Sequence, residues 1–503
     1  MKNGVSKQIK SGAIISYFAI AISIISALLY TPWMKNQIGD ANYGLYTLIT
    51  SLISIFLMDF GLGTSVTRFI AKYRAENKQK LIADVLGCVI KLYLAIDIVI
   101  LIALTFVYFN LEKIYIGLSI EEIQMLKSVF LIFGTYSVLA FPFTPLSGIL
   151  NAYELFIEMK LCDLFQKLLA IGLIIIVLLS GHGLTYLVAM NALAGIISIL
   201  VKIWFVKTKV KIKPNFKVRD FVLLKAILNF SIWVTVMAIS QRMIFNIAPS
   251  ILGMVSNSLE IARFAPASQM EGYFFTFAYA INGLFLPLLS RYDSKSNDAA
   301  ILNLAEKVGR YQMGILGLLY TGIAVLGTQF MGLWMGPDYE ICGLCTVMMI
   351  TPSLFQYPQQ IFNTMLSVRN LIKYQALAAV AMGLTNIILS FVFIPQMGAL
   401  GSSLSIMISY TINFVLLNII YHKKLRLNLK KFYIQVFVRY IPIILCSILI
   451  SKGILTNIKF SGWSSFFIGT MITGIIYLCI LLVFGISKIE RQMILAKIRK
   501  KRT

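Results

Sequence analysis

Four ionisable side chains stand deep inside apolar runs: Lys91 and Asp97 in one run, Arg242 in another and Glu271 in a third. Arginine is always charged and brings five N–H donors that need acceptors. Setting it in the middle of an apolar helix in hydrocarbon costs about 2.5–3.5 kcal/mol even on the lenient insertion scale. A guanidinium in such a place suits a bidentate grip on phosphate or carboxylate oxygens. A carboxylate there suits the binding and release of a cation, or a static pairing with a basic neighbour. Asp97 lies twelve residues into its run, near the midpoint, whereas Lys91 is close enough to one end to extend its amine outward.

The run Trp233–Gly253, WVTVMAISQRMIFNIAPSILG, holds Arg242 too far from either end for the side chain to reach a headgroup. Lys225 is 17 residues before it and Ser256 14 after, so neither end is closer than about 20 Å at 1.5 Å per residue. Ser231, Thr235 and Asn246 fall within about 20–40° of Arg242 on a helical wheel, making one polar stripe on an apolar helix. The bland reading of the stripe is a buried ion pair between Arg242 and Glu271 on the adjacent helix. The functional reading lines a cavity with Arg242 and Asn246 and places diphosphate oxygens on the guanidinium. Glu271 begins a second stripe, with Asn282 within about 20° of its face and Ser268 about 60° away.

The elements that must position these residues are transmembrane helices. The chain has 503 residues, 59% apolar and only 13% charged, about half the charged share of a soluble protein. A net charge of +25 could suit nucleic acid, but the basic residues cluster between runs long enough to cross a bilayer, so no nucleic-acid partner is expected. At about 20 apolar residues per span, fourteen segments qualify: 12–33, 43–64, 85–109, 126–150, 164–180, 184–206, 226–253, 263–289, 311–335, 341–366, 374–395, 398–421, 434–451 and 463–486. The first follows Lys2, Lys7 and Lys10 like a signal peptide, but it exceeds a 7–15-residue h-region and lacks a cleavage site, so it reads as an uncleaved span.

Basic residues test that count, because cytoplasmic connections collect Lys and Arg. With both tails inside, the even-numbered connections hold Arg68 to Lys80, Lys160 and Lys167, Lys202 to Lys225, Arg291 to Arg310, Arg369 and Lys373, and Lys423 to Arg439. The outward connections hold only Lys35, Lys113, Lys127, Arg263, Lys452 and Lys459. A miscount of one span would scramble this alternation.

A weak internal repeat divides the chain. NAYELFIEMK from Asn151 and SVRNLIKYQA from Ser367 follow a proline-broken helix 216 residues apart; GDANYGLY from Gly39 and NSLEIARF from Asn257 lie 218 apart. The expected organisation is all-α, with six-helix bundles at 1–218 and 219–430 and a helix pair with a basic tail at 431–503. Six spans per bundle is even, so a pseudo-twofold axis would run along the membrane normal, with a site at the bundle interface.

Catalytic motifs are missing: there is no GxxxxGK[ST] loop, GxSxG elbow or HExxH. Cys342-x-x-Cys345 has the spacing of half a zinc site, but no second pair accompanies it and His182 and His422 are the only histidines, so no metal is expected. The longest outward connection, 110–125, leaves no room for the large periplasmic loop of a polysaccharide polymerase or ligase. No cofactor and no enzymatic activity are expected.

The stretch Gln37–Arg74, with Asp40 after Gly39, Tyr43-Gly44-Leu45-Tyr46, Asp59-Phe60-Gly61 and Arg68, resembles the bacterial polysaccharide-exporter family. Its members are the Wzx-type flippases of O-antigen or capsule repeat units, within the multidrug/oligosaccharidyl-lipid/polysaccharide (MOP) superfamily. The resemblance extends over the chain as fourteen spans in a six-plus-six-plus-two layout. It implies transfer of an undecaprenyl-diphosphate-linked oligosaccharide from the inner to the outer leaflet of the cytoplasmic membrane, by alternating access coupled to a proton or sodium gradient. It also implies the bilayer as surroundings, with a polysaccharide polymerase and a chain-length regulator as partners. On that reading Arg242, Asn246 and Arg68 serve the diphosphate, and Asp97, Glu271 and Asp59 are coupling or cavity carboxylates. Each has a plainer role open to it: Arg68 as a topogenic charge, Asp59 as a local cap. A lipid II flippase and a multidrug cation antiporter share the architecture; an arginine in place of an acid argues against cationic drugs.

Overall fold

A computed structural model describes residues 2–218, 220–279, 285–456 and 462–485. Among the described residues every regular element is helical. The order is α1 Lys2–Ile38, α2 Asp40–Phe56, α3 Leu62–Ala75, α4 Gln79–Ile114, α5 Ile120–Ala140, α6 Pro145–Ala152, α7 Phe156–Leu179, α8 Leu184–Phe205, α9 Phe221–Phe245, α10 Ala248–Val255, α11 Ser258–Tyr279, α12 Leu286–Ser294, α13 Asp298–Met335, α14 Ile341–Gln356, α15 Gln360–Val368, α16 Ile372–Ile420, α17 Leu429–Tyr433, α18 Arg439–Leu455 and α19 Trp463–Ile480. Among the described residues ten helical segments are long and apolar enough to cross a membrane. Of the other expected segments, 12–33 falls on α1, 43–64 on α2 and α3, and 263–289 on α11 and the start of α12 with 280–284 outside the described residues, while α16 carries two of the fourteen in one helix bent at Gly398. The segment 43–64 is divided after Phe56, and 263–289 carries Arg263 and Glu271 within one span.

Breaks inside the expected spans follow local chemistry. The tenth is interrupted by a 3₁₀ turn at Tyr357–Gln359 and the fourth by one at Phe141–Phe143; each turn contains a proline, 216 residues apart. Proline lacks the N–H that an α-helix needs and clashes with the preceding turn. Unpaired backbone at membrane depth is tolerated only where protein or a watery cavity satisfies it.

The same local structure returns at nearly the same offset, 219, 216 and 215 residues, at the basic ends of the helices. Asn77, Glu154 and Lys211 have left-handed backbones, and so do Ser296, Asn370 and Arg426. Glu154 N–H reaches the Asn151 carbonyl at 3.0 Å and Leu155 N–H the Leu150 carbonyl at 2.9 Å; Asn370 and Leu371 make the matching bonds to Ser367 and Leu366 at 3.2 and 2.7 Å. These are Schellman closures, which satisfy the orphan carbonyls of a helix C-terminus. Five of the six residues are charged or amide-bearing, and none is glycine, so the closure is carried by hydrogen bonds and not by sequence identity. Elsewhere a capping box at Ser119 and Glu122 starts α5, and Asp220 accepts the Val222 and Leu223 N–H groups at 2.9 Å to start α9.

By contact the chain forms two compact units, 1–262 with 390–398 and 263–389 with 399–503. The boundary expected at 218/219 therefore does not coincide with the contact boundary: α9 and α10, placed at the head of a second bundle by the repeat, pack within the first unit. Hydrogen bonds account for this. Ser65 and Ser231 hydroxyls meet across α3 and α9, and Thr235 donates to the Phe60 carbonyl. In the second unit a large apolar cluster around Phe362, Tyr421, Phe432 and Tyr477 joins α13, α15, α18 and α19.

Candidate functional site

In the first unit the polar groups gather at a broken helix. α2 ends at Phe56 and α3 begins at Leu62; between them Phe60 and Gly61 take left-handed backbones at φ 49° and 66°. The Phe60 conformation is one that a non-glycine residue rarely adopts without outside support. That support is visible. The Tyr93 hydroxyl of α4 donates to the Asp59 carbonyl at 3.3 Å, and Thr235 of α9 donates to the Phe60 carbonyl. Asp59 Oδ1 accepts the Gly61 N–H at 3.0 Å. A side chain at Gly148 on α6 would come within 2.7 Å of the Gly63 carbonyl, so α3 and α6 meet through bare backbone.

Asp59 thus sits at the start of α3 and closes it locally, rather than lying inside one continuous 43–64 span. A carboxylate at a helix N-terminus is favoured by the partial positive charge there. Of the sequence stripe, Ser231 and Thr235 face this break through the bonds already given, and the Asn246 amide donates to the Ser54 hydroxyl of α2 at 2.6 Å.

Arg242 is not in mid-helix. α9 stops at Phe245, and α10 restarts at Ala248 with Pro249 in its first turn. The guanidinium is half-buried in the last turn of α9, where the helix dipole favours a cation. Its NH1 donates to Asn246 Oδ1 at 3.3 Å. The other N–H donors have no protein acceptor among the described residues. Ser54, Asn246 and Arg242 are thereby linked in one chain.

Asp97 lies one helical turn beyond Tyr93 on α4 and is only 9% exposed, with Oδ1 buried and lacking a hydrogen-bond partner among the described residues. Lys91, on the same helix, donates to the Val218 carbonyl at 2.8 Å. Arg68 is exposed on α3. Glu271 belongs to the second unit, where it is buried and accepts a bond from the Tyr357 hydroxyl at 3.3 Å. Tyr357 comes from the proline-bearing 3₁₀ turn, and Phe274, Phe275 and Tyr279 surround its ring. Asn282 lies outside the described residues. Cys342 and Cys345 are buried, and the Cys342 thiol donates to the Arg263 carbonyl at 3.0 Å. Ser54, Tyr93 and Tyr357 were not singled out from the sequence; only Tyr357, beside Pro358, carried a local signal.

This arrangement of broken, membrane-length helices with polar groups at the breaks is a transporter architecture. The fold matches that of a lipid II flippase, MurJ in its inward closed conformation, with a TM-score of 0.68 at 18% identity over 94% of this chain and 98% of that one. A polysaccharide biosynthesis protein family model matches residues 9–293. The chain belongs to that family and is a multi-pass membrane protein. It is 20% identical to the uncharacterized membrane protein EpsK of Bacillus subtilis (strain 168) over 96% of both chains. It is 21% identical, over 41% of its own length, to a probable low-salt glycan biosynthesis flippase, Agl15 of Haloferax volcanii, and spans 44% of that relative.

Proposed function

We propose that the protein moves an undecaprenyl-diphosphate-linked oligosaccharide repeat unit of a surface polysaccharide from the inner to the outer leaflet of the cytoplasmic membrane. It does so by alternating access, driven by a proton or sodium gradient. The observation that carries this reading is Arg242: a half-buried guanidinium at a helix break, held by one bond to Asn246 and otherwise uncommitted. A diphosphate supplies the acceptors that the protein leaves out, and charge-assisted bonds to it are about twice as strong as neutral ones. Asn246, fixed by Ser54, steers the guanidinium, and Arg68 on the basic side meets the diphosphate on entry. A cationic drug would be repelled by the same group. Family membership and the Agl15 flippase support a glycan cargo; the MurJ fold supports a lipid-linked one.

The test is reconstitution of the full chain in proteoliposomes with a fluorescent undecaprenyl-diphosphate oligosaccharide. Transfer that accelerates under an imposed proton or sodium gradient is the expected result; transfer no faster than in protein-free vesicles would refute the proposal. The likeness to MurJ raises a second reading, lipid II as cargo. Supplying lipid II in the same assay separates them: the oligosaccharide moves at least about tenfold faster if the first reading holds.

Orientation is tested in cells with a background lacking native cysteines. Glu121→Cys, at the exposed start of α5, reacts with an impermeant reagent from outside; Lys211→Cys, exposed at the basic end of α8, reacts only after permeabilisation. Labelling of position 211 in intact cells would overturn both the inside placement of the basic connections and the direction of transport.

A further inference from the structure

Within the second unit the end of α16 turns through Tyr421–Leu425 into α17, leaving a cavity of about 1010 Å³ with two chemistries. One side is a rim of four basic residues, His422, Lys423, Arg426 and Lys430, all exposed. The other is an apolar wall of Val415, Ile419 and Ile434, each 45–50% exposed. Between them the Tyr433 hydroxyl donates to the Asn418 side chain, whose amide donates to the Phe414 carbonyl at 2.6 Å. The two helices that frame the cavity are thereby pinned together.

No carboxylate lines this cavity, and none of the four basic residues makes an ion pair among the described residues. The neighbouring cations behave otherwise. Lys431 pairs with Glu306 at 3.2 Å, Arg369 with Asp293 at 2.8 Å and Asp298 at 3.0 Å, and Lys424 stands 4.6 Å from the centre of the Tyr374 ring. Acids are thus available to this basic region and are spent on the residues beside the cavity. Arg426 is held in a left-handed backbone, which fixes where its side chain leaves the turn. Like charges gathered without a counter-charge repel one another modestly in water, and an anion bound among them relieves that repulsion.

We infer that the cavity binds an anionic phospholipid, with the phosphate among the basic residues and an acyl chain along the wall. Basic pockets between membrane helices accept such headgroups, and arginine meets phosphate oxygens bidentately. The apolar wall, continuous with the basic rim, is what selects a lipid over a free phosphate. The inference is independent of what the protein transports, because Arg242 and its neighbours lie in the other unit.

Native mass spectrometry and thermal unfolding of the full chain test it, with phosphatidylglycerol and phosphatidylcholine of matched chains. Phosphatidylglycerol is expected to persist as a one-to-one adduct and to raise the unfolding midpoint by several degrees, whereas phosphatidylcholine does neither. K423Q/R426Q/K430Q should weaken phosphatidylglycerol retention at least about tenfold, with Lys430→Glu as a single-site substitute if the triple variant does not fold. Lys207→Gln/Lys211→Gln, which removes charge from the first unit, should keep the adduct. Equal retention of the two lipids overturns the inference, as does undiminished binding by the rim variants or equal loss in the first-unit control. Inorganic phosphate should leave the midpoint unmoved; an equal shift with phosphate would make the cavity a free-anion site and overturn the lipid assignment.

Discussion

Arg242→Ala and Arg242→Gln insert and accumulate normally but lose polysaccharide export, while Arg242→Lys keeps part of it. This is the largest effect expected. A charge-assisted hydrogen bond contributes about 1.5–3 kcal/mol, so losing even one at the binding step lowers flux by roughly tenfold or more. Insertion should survive because the guanidinium holds a single hydrogen bond, to Asn246, and Asn246 keeps its own bond to Ser54. Lysine restores the charge but not the planar fork. Complementation of an export-deficient strain, with protein levels measured, reads the result; full export by a well-expressed Arg242→Gln protein would sink the binding role.

Asp97→Asn should leave folding intact and abolish the dependence of transport on the ion gradient. The carboxylate is 9% exposed and its Oδ1 has no hydrogen-bond partner among the described residues, so the substitution breaks no bond there. Stability should change by less than about 1 kcal/mol, the net contribution of one ordinary hydrogen bond. A carboxylate whose task is to hold a static partner would behave in the opposite way, since removing one member of a buried pair is strongly destabilising. Proteoliposomes under imposed proton and sodium gradients supply the readout. Unchanged ion dependence in a stable Asp97→Asn protein would end the coupling assignment.

Hydropathy made the helices legible, because a bilayer demands long apolar segments whatever the tertiary arrangement. The breaks were legible only where proline signalled them. Pro249 and Pro358 could be read from the sequence, and they mark the turns below Arg242 and beside Tyr357. The break at Leu57–Gly61 has no proline and was read as continuous helix, which set Asp59 inside a span rather than at the start of α3. The stripe of Ser231, Thr235 and Asn246 was legible from helical periodicity, but its partners were not. Ser65, the Phe60 carbonyl and Ser54 lie 166, 175 and 192 residues away along the chain, and nothing local encodes such pairings.

Those same pairings bear on any attempt to halve the gene. A fragment ending at residue 218 would keep α2 and α3 but forfeit α9, leaving the Ser65 hydroxyl and the Phe60 carbonyl without the groups that now meet them and the Ser54 hydroxyl with only its bond to the Ser51 carbonyl. Within lipid each such group would seek a replacement or force the bundle to rearrange. Split expression at the repeat boundary would therefore yield an incomplete first fragment, whereas one that runs through Val255 would carry its own closing helix.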